Sequence, residues 1–470
     1  MKRALLLIVC ISLLLCLVAC GGEKTPDEPV VQYSTFAGHT DLEIFQDIPA
    51  PQVEDLRIAE NAHYGADNYL ISVNGTFLKD YQAYLKVLEE SGFTKYADNG
   101  TTGLGKGVVT ATYVKDDLTL EVTLVTSWLR TYIIAAKGQP LSPNLIYSDD
   151  LKKDIIPGAK TTLTMNQVKE YGNCFVIQLK NGHFIVNDGG WVGDLNTLLL
   201  YLEEEAPEGQ KPVVDAWFIS HEHGDHAGIL SDAMTAFGLD KRLAVEGFYV
   251  NEVSPEIEAA TNGDCVSYTR SAAKEFVTTA GTPTPVYRPH AGQKLYFCDI
   301  VVDVPYTQEL ITPTQYTANL NASSTWLMYN IEGQKFLLAG DTELVNQEHV
   351  KEIYSTDPEY MDVDIMNAHH HGLNLFDTDL GYYNVETILY STWGVYSIYW
   401  PNEEQNLELQ REHCLEYYSY LEGGKRITFP YTLGEIENID PWYADITERL
   451  VERQAQWLKD AGLTYDYSVS

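Results

Sequence analysis

The sequence has few cysteines, and this shortage excludes several kinds of protein. Only seven cysteines occur in 470 residues: three lie at positions 10, 16 and 20, the other four are widely separated, and there is no Cys-x-x-Cys pair. We therefore expect no disulfide framework and no zinc site built from thiolates. A Gly-x-Ser-x-Gly motif is also missing, so nothing indicates a serine nucleophile elbow.

Positive charge is scarce as well, which limits the partners of this chain. There are 67 acidic against 31 basic residues, and the formal net charge is -36 at pH 7. Counterion release from a phosphate backbone requires a surface rich in Lys and Arg. We therefore expect no strong general binding to nucleic acid, and we interpret the acidity as that of a soluble, self-repelling surface.

A short apolar run stands at the N-terminus. It covers Ala4 to Val18, follows two basic residues, and is too short for a comfortable membrane span. The sequence Leu17-Val18-Ala19-Cys20 resembles a bacterial lipobox, which implies a lipoprotein signal peptide at 1–20 and a lipid anchor on Cys20. The protein would then sit in the bilayer at the extracytoplasmic face of the bacterial cell membrane. An ordinary signal peptide or a short anchor helix are the alternatives, and each also exports the chain.

The length exceeds what one hydrophobic core usually serves, so we expect one large and one small domain. Composition and periodicity place a linker at 21–55, a small α+β accessory domain at 56–140, a large domain at 155–440 and a C-terminal helix at 441–470. In the small domain, the stretch "TFLKDYQAYLKVLEESGF" predicts a helix that packs Tyr81, Tyr84, Leu85 and Leu88 on a sheet. The large domain alternates apolar strands with helical segments, which predicts a layered α/β fold.

The stretch "VVDAWFISHEHGDHAGIL" combines a buried-type strand with metal-ligand side chains. His221 and His223 are two residues apart, so their imidazoles project to the same side of an extended chain. Gly224 permits a turn, after which Asp225 and His226 return toward the same point. Imidazole and carboxylate together suit zinc or other divalent ions such as manganese, and ligands in two lobes can hold one or two ions.

This His-x-His-x-Asp-His string resembles that of the metallo-β-lactamase-fold hydrolases. Three further stretches at strand ends support the resemblance: "IVNDGG", "FLLAGDTE" and "DIMNAHHHGLN". The order of "HAGQKLYFCDIVVDVPYTQ", "NLNASSTWLMYNIEGQKFLLAGDTE", "VDIMNAHHHG" and "GGKRITFPYTLGEIE" is similar to the hydrolase domain of the ComEC-like competence proteins. The resemblance implies a four-layer αββα sandwich beside the small N-terminal α+β domain, with a metal site along one edge of the paired sheets.

The resemblance also implies roles for individual residues. His221 and His223 match ligands of a first metal, Asp225 and His226 match ligands of a second, and Asp341 matches the carboxylate that bridges both. His370 matches the ligand of the last motif, with His369 and His371 as its competitors, and Asp188 matches a residue that orients a ligand by hydrogen bonding. His223 and Asp225 are the predicted catalytic residues, because Asp225 can orient an attacking hydroxide or accept its proton.

One stretch departs from the family pattern. In many members another His precedes the Gly-Asp strand, whereas "NASSTW" occupies that stretch here, at Asn321 to Trp326. His290 is the one His between His226 and Asp341, and it lies in a different segment. The number of bound metals therefore stays open between one and two.

The predicted function is hydrolysis by metal-activated water. The ComEC-like resemblance implies a phosphodiester substrate, either a small molecule or a polymer, and the acidic surface favours small or single-ended substrates over long polyanions. Two alternatives remain: an amide or ester hydrolase of lactamase or lactonase type, and a non-catalytic surface binding lipoprotein with a structural metal.

Overall fold

A computed structural model describes residues 33–53, 56–64, 68–100, 103–169, 171–253, 265–309, 320–373, 382–391, 415–419 and 423–439. The predicted signal peptide, with Cys20, and the predicted C-terminal helix at 441–470 lie outside these residues. In the described part of the chain, no helix has the length and apolar character needed to span a bilayer.

The N-terminal unit is an antiparallel sheet covered by one helix. Its strands are β1 (Ile58–Tyr64), β2 (Asn68–Asn74), β3 (Thr94–Asp98), β4 (Val108–Lys115), β5 (Leu118–Val125) and β6 (Arg130–Lys137), and its helix is α1 (Leu78–Glu90). The strand order is β1-β2-β6-β5-β4-β3. Tyr81, Tyr84 and Leu88 of α1 are buried against the sheet and Leu85 is partly buried there, as the helical stripe predicts.

The segment before this sheet is packed. Residues 33–53 belong to the stretch that the composition assigns to a linker, yet Phe36, Phe45, Ile48 and Ala50 are buried in the core beneath α1. Burial of these four apolar side chains gives the segment a fixed position on the N-terminal unit. The Pro and acidic residues suggested a linker, but the same segment carries a short apolar pattern that places it in the core.

Two further sheets form a sandwich. The first contains β7 (Thr162–Met165), β8 (Cys174–Gln178), β9 (Phe184–Asp188), β10 (Val213–Ile219), β11 (Ala244–Val245), β12 (Phe248–Val250), β13 (Val286–Tyr287), β21 (Gly424–Thr428) and β22 (Ile436–Ile439). The second contains β14 (Lys294–Phe297), β15 (Ile300–Tyr306), β16 (Trp326–Ile331), β17 (Gln334–Leu338), β18 (Ile365–Asn367), β19 (Thr387–Tyr390) and β20 (Leu415–Tyr418). The first follows the order β13-β12-β10-β9-β8-β7-β21-β22, with β11 beside β10, and the second runs in numerical order.

The helices of this part are short. They are α2 (Leu195–Glu205), α3 (Gly224–Ala227), α4 (Ile229–Ala233), α5 (Leu239–Arg242), α6 (Tyr268–Ala272) and α7 (Leu344–Ile353).

Because side chains alternate along a strand, each sheet contributes one face to the core between the two sheets and the other face to an outer core. In β10, Ala216 and Phe218 lie in the core between the two sheets, whereas Trp217 and Ile219 lie in the core under the helices. Strand β16 divides its side chains in the same way on the second sheet. Successive side chains of a strand point to opposite faces, so strands that are apolar throughout must be covered on both sides.

The covering elements complete four layers. Leu198 of α2 and Ile229 of α4 pack on the outer face of the first sheet. Val350 of α7 packs on the outer face of the second sheet, together with Leu70 and Ile134 of the N-terminal sheet. This confirms the predicted αββα sandwich with a small N-terminal α+β domain, and it adds that the N-terminal sheet supplies part of the fourth layer.

Candidate metal centre

Four chain segments bring ionisable side chains to one edge of the sandwich. Asp188 ends β9, and the motif from His221 to His226 follows the parallel neighbour β10. Asp341 follows β17, and the stretch from His369 to His371 follows the parallel neighbour β18. Parallel neighbours end at the same edge, so the topology gathers residues that are far apart in sequence.

Two groups of potential ligands result, and they share one carboxylate. The first contains His221, His223 and Asp341, and the second contains Asp225, His226, Asp341 and His371. Within each group the ligand atoms lie within 4.8 Å of one another. Three or four nitrogen and oxygen donors at such spacing suit a zinc-like divalent ion.

Asp341 lies at the centre of this arrangement. Its Oδ1 is 3.0 Å from Nε2 of His226, and its Oδ2 is 3.4 Å from Nε2 of His371 and 3.9 Å from Nε2 of His221. The side chain is buried, with 2% exposure. One carboxylate that faces imidazoles of both groups has the position expected of a bridging ligand.

Asp188 fixes the orientation of His226. Its Oδ2 lies 2.8 Å from Nδ1 of His226, while its two oxygens accept hydrogen bonds from the amide and the hydroxyl of Ser220, at 2.7 and 2.8 Å. An ionised carboxylate only accepts, so Nδ1 of His226 carries a proton and Nε2 is the nitrogen that faces Asp341. This is the arrangement of a carboxylate that orients a metal-binding His.

A test of the fit to a cation comes from two buried atoms. Nε2 of His226 and Oδ1 of Asp341 have no hydrogen-bond partner, although they lie 3.0 Å apart. A buried donor or acceptor without a partner costs roughly 1–3 kcal/mol. A divalent cation between the two atoms would satisfy both, so the residues present fit a metal.

The charges in the cluster are strongly coupled. Burial, reinforced by neighbouring imidazoles, lowers the pKa of His221 well below its ordinary value. For His226, burial is outweighed by surrounding carboxylates, first that of Asp341, and the pKa is raised well above its ordinary value. Burial of Asp341 is likewise outweighed by imidazoles, first that of His226, and its pKa is lowered well below its ordinary value. The carboxylate of Asp341 and the imidazole of His226 thus stabilise each other's charged forms.

The three consecutive His residues have different surroundings. His371, rather than the predicted His370, belongs to the ligand group, because its Nε2 lies 3.0 Å from Oδ2 of Asp225. His370 is 25% exposed and its Nε2 lies 3.6 Å from Oδ2 of Asp341. His369 is fully buried with its ring 5.3 Å from that of Trp326, and neither ring nitrogen has a hydrogen-bond partner.

Backbone geometry explains why His371, and not His370, lies in this group. Both His370 and His371 have positive φ angles, 49° and 55°, so the chain turns sharply after β18. A left-handed conformation is costly for residues with a Cβ and cannot be inferred from three identical letters. The turn carries the third His, and not the second, back to Asp225.

Glu222 points away from the ligands, as alternation along the extended chain predicts. Its carboxylate accepts a hydrogen bond from the hydroxyl of Thr269 at 3.1 Å, and its carbonyl accepts one from the amide of Cys265 at 3.0 Å. Burial, and then the charge of Glu252, raises the pKa of Glu222 to about 8. The residue between two ligands therefore ties the metal motif to the segment that precedes and forms α6.

The stretch that lacks the family's His is packed beside the motif. The amide of Thr325 donates to the carbonyl of Ser220 at 3.0 Å, which joins "NASSTW" to the residue before His221. His290 does not replace the missing ligand: its Nδ1 lies 3.1 Å from Oε2 of Glu309, and it belongs to neither ligand group.

Sequence reasoning did not identify three supporting residues. Ser391 places its hydroxyl 3.2 Å from Nδ1 of His371, Ser220 places its own 3.1 Å from Nδ1 of His221, and the amide of Asn173 is 3.3 Å from Nδ1 of His226. Ser220 directly precedes His221, and that adjacency was an available signal. Asn173 and Ser391 carry no local signal, because only the fold brings them to the site.

Comparison with known proteins agrees with this geometry. Residues 168–262 match the model of the metallo-beta-lactamase superfamily. Among solved structures, the chain is similar to the metallo-beta-lactamase fold protein YhfI from Bacillus subtilis, at 12% identity over 57% of this chain and 100% of that one, with a TM-score of 0.36. It is also similar to Zn(2+)-bound PqqB from Methylobacterium extorquens, at 7% identity over 52% of this chain and 85% of that one, with a TM-score of 0.33. The comparison with curated proteins finds no match.

Residues 168–262, which include the motif from His221 to His226, therefore match a metallo-beta-lactamase superfamily domain. Proteins with this domain are generally metal-dependent hydrolases, and the fold implies a divalent metal. The His and Asp groups at the sandwich edge are the residues that would hold it.

Proposed function

We propose that this protein is a phosphodiesterase that uses metal-activated water and acts on small or single-ended substrates. The observation that carries the hydrolase part is the pair of ligand groups that share Asp341. The ComEC-like order of motifs supports a phosphodiester substrate, and the net charge of -36 disfavours a long polyanion.

Different residues of the chain have different roles in the proposed reaction. A divalent ion held by the two ligand groups would supply Lewis acidity: it would lower the pKa of bound water and would polarise the phosphoryl oxygen. Asp341 belongs to both ligand groups, and Asp188 orients the ring of His226. Asp225, whose side chain keeps 11% exposure, orients the attacking water and accepts its proton. His223 is the partly exposed member of the first ligand group.

A substrate panel tests this function. Purified protein is given bis-p-nitrophenyl phosphate, a chromogenic β-lactam and an acyl-lactone, each with and without a chelator. We expect chelator-sensitive turnover of the phosphodiester. His223→Ala should abolish it, whereas His183→Ala, which removes a His paired with Asp215 outside both ligand groups, should not.

The outcomes separate the rival functions. Phosphodiester turnover that survives chelation or His223→Ala contradicts the mechanism. Turnover of the lactam or lactone alone would identify an amide or ester hydrolase instead of a phosphodiesterase. No turnover of any substrate, with metal retained stoichiometrically, favours a binding lipoprotein with a structural metal.

We also propose that the protein is anchored through lipid on Cys20 at the extracytoplasmic face of the bacterial membrane. The lipobox-like sequence before Cys20 supports this proposal. Expression in a bacterium fed radiolabelled palmitate should label the intact sequence and not Cys20→Ala. Label in Cys20→Ala, or recovery of the unmodified protein from the medium, would contradict it.

A further inference from the structure

Tyr171 and Trp191 form an aromatic pair beside the ligand cluster. The ring centroid of Tyr171 lies 5.7 Å from that of His371, with an interplanar angle of 68°. The ring of Trp191 lies 5.4 Å from that of Tyr171, at 86°. The pair therefore borders the ligand group that contains His371 and Asp225.

Trp191 is held in place from three sides. Its indole N–H donates to the carbonyl of Tyr171, and its amide donates to Oδ2 of Asp194 at 2.8 Å. Its ring lies close to Gly224 of the metal motif, where an added Cβ would be only 3.3 Å from Cζ3 of Trp191. Gly224 therefore makes room for this ring, which is fixed relative to the ligands.

The aromatic pair is partly exposed, while the neighbouring ligands are buried. His226, His371 and Asp341 have 0%, 4% and 2% exposure, whereas Tyr171 and Trp191 are half-buried. Val192, which follows Trp191, is 52% exposed. An exposed apolar surface next to a cluster of convergent polar groups is typical of a ligand-binding site.

We propose that one ring of the perpendicular pair Tyr171 and Trp191 stacks on the base of a nucleoside phosphodiester while the other contacts the edge of that base, so that a nucleotide is the substrate class of this site. The inference rests on the proposed phosphodiesterase function. In a nucleoside phosphodiester a planar ring lies within a few bonds of the scissile phosphate, and stacking on aromatic side chains binds any base. The edge-to-face packing of the pair fixes the rings without covering them fully. The acidic surface limits this substrate to a nucleotide, a dinucleotide or a strand end.

Two esters with the same leaving group test the inference. The metal-loaded protein is given the p-nitrophenyl ester of thymidine 5′-phosphate and methyl p-nitrophenyl phosphate. We expect the first to be preferred in kcat/KM, chiefly through a lower KM. Tyr171→Leu and Trp191→Leu should each reduce this preference about 5- to 100-fold, because each removes one aromatic contact with the base. Metal content is measured in every sample.

Matched variants identify the cause. Tyr171→Phe keeps the ring and should restore the preference. Phe237→Ala removes a phenyl ring that is 99% exposed in the connection between α4 and α5, and it should change neither ester. A preference that survives both Leu variants overturns the inference, as does a loss of metal that accounts for the whole effect.

The result also distinguishes this inference from the proposed function. Equal turnover of the two esters by the unaltered protein leaves the phosphodiesterase intact and removes the nucleotide assignment. If neither ester is hydrolysed by the metal-loaded protein, the proposed function fails and the nucleotide assignment fails with it.

Discussion

Oδ2 of Asp188 lies 2.8 Å from Nδ1 of His226, and the same carboxyl group accepts hydrogen bonds from the amide and hydroxyl of Ser220. One buried carboxylate thus fixes the ring of one ligand and the backbone just before another, His221. Asp188 has a positive φ angle of 55° at the end of β9.

Asp188→Ala should weaken metal binding without removing a ligand. The ring of His226 would lose its orienting partner, and such losses typically lower metal affinity 10- to 100-fold. Titration against a chromophoric chelator measures the change. Asp215→Ala, which removes the partner of the partly buried His183, serves as the control, and an equal effect of both variants would contradict the proposed role of Asp188.

Replacing His371 and His370 separately should give unequal results. His371→Ala removes a member of the second ligand group and should reduce the bound metal or its affinity by more than tenfold. His370→Ala should have a smaller effect, because His370 belongs to neither group. Elemental analysis with chelator competition measures both. A larger loss in His370→Ala would restore His370 as the ligand.

Glu222→Gln should leave the stability of the protein nearly unchanged, whereas Glu222→Ala should lower it. Its pKa is raised to about 8, chiefly by burial, so at neutral pH it is largely protonated and resembles Gln in shape and polarity. Glu222→Ala would leave the hydroxyl of Thr269 without its partner, at a cost of about 1–3 kcal/mol. Urea unfolding measures both variants. Equal destabilisation by Gln and Ala would show that the charged form is the one required.

We expect the stability of the N-terminal unit to depend on pH because of the buried carboxyl group of Glu121. The carboxyl group is buried among the hydroxyls of Thr110 and Thr112 and faces His290, Glu309 and Arg288 of the large domain. Burial raises its pKa, so the folded protein holds this proton more tightly than the unfolded chain. This contribution to stability is complete below the ordinary pKa of Glu and is lost as the pH rises from that value through the folded pKa.

Glu121→Gln should remove the loss of stability at rising pH, because an amide does not ionise. The variant should unfold at a higher urea concentration than the unaltered protein at pH 7, and the difference should shrink toward pH 4. Urea midpoints at several pH values between 4 and 7 provide the comparison. A difference that does not vary with pH would mean that hydrogen bonding, and not ionisation, distinguishes the two side chains.

Much of the site was predictable because its ligands follow local rules. The spacing of His221 and His223 in extended chain puts both imidazoles on one side and Glu222 on the other, and the structure shows that arrangement. Asp341 was assigned through the resemblance, and the structure places it between the two groups. The layered α/β fold followed from apolar strands interspersed with helical segments, whereas the four-layer sandwich was implied by the family resemblance.

Other features were not predictable from local sequence. A choice among three adjacent His residues depends on two left-handed backbone angles. The packing of Phe36 and Phe45 depends on a core supplied by residues far along the chain. Tyr171 and Trp191 stand in no motif, and only tertiary contacts with His371 and Gly224 bring them to the cluster.

The sequence by itself determined the chemistry of this protein: the ligand types, their alternation after a strand, and the apolar runs that require two covered sheets. The tertiary structure decided which His completes the second group, which residues orient the ligands, and which aromatic rings border them. The physical reason is that periodicity and ligand chemistry are properties of neighbouring residues. Convergence of distant segments depends on how parallel strands end at a common edge, and that is a property of the whole fold.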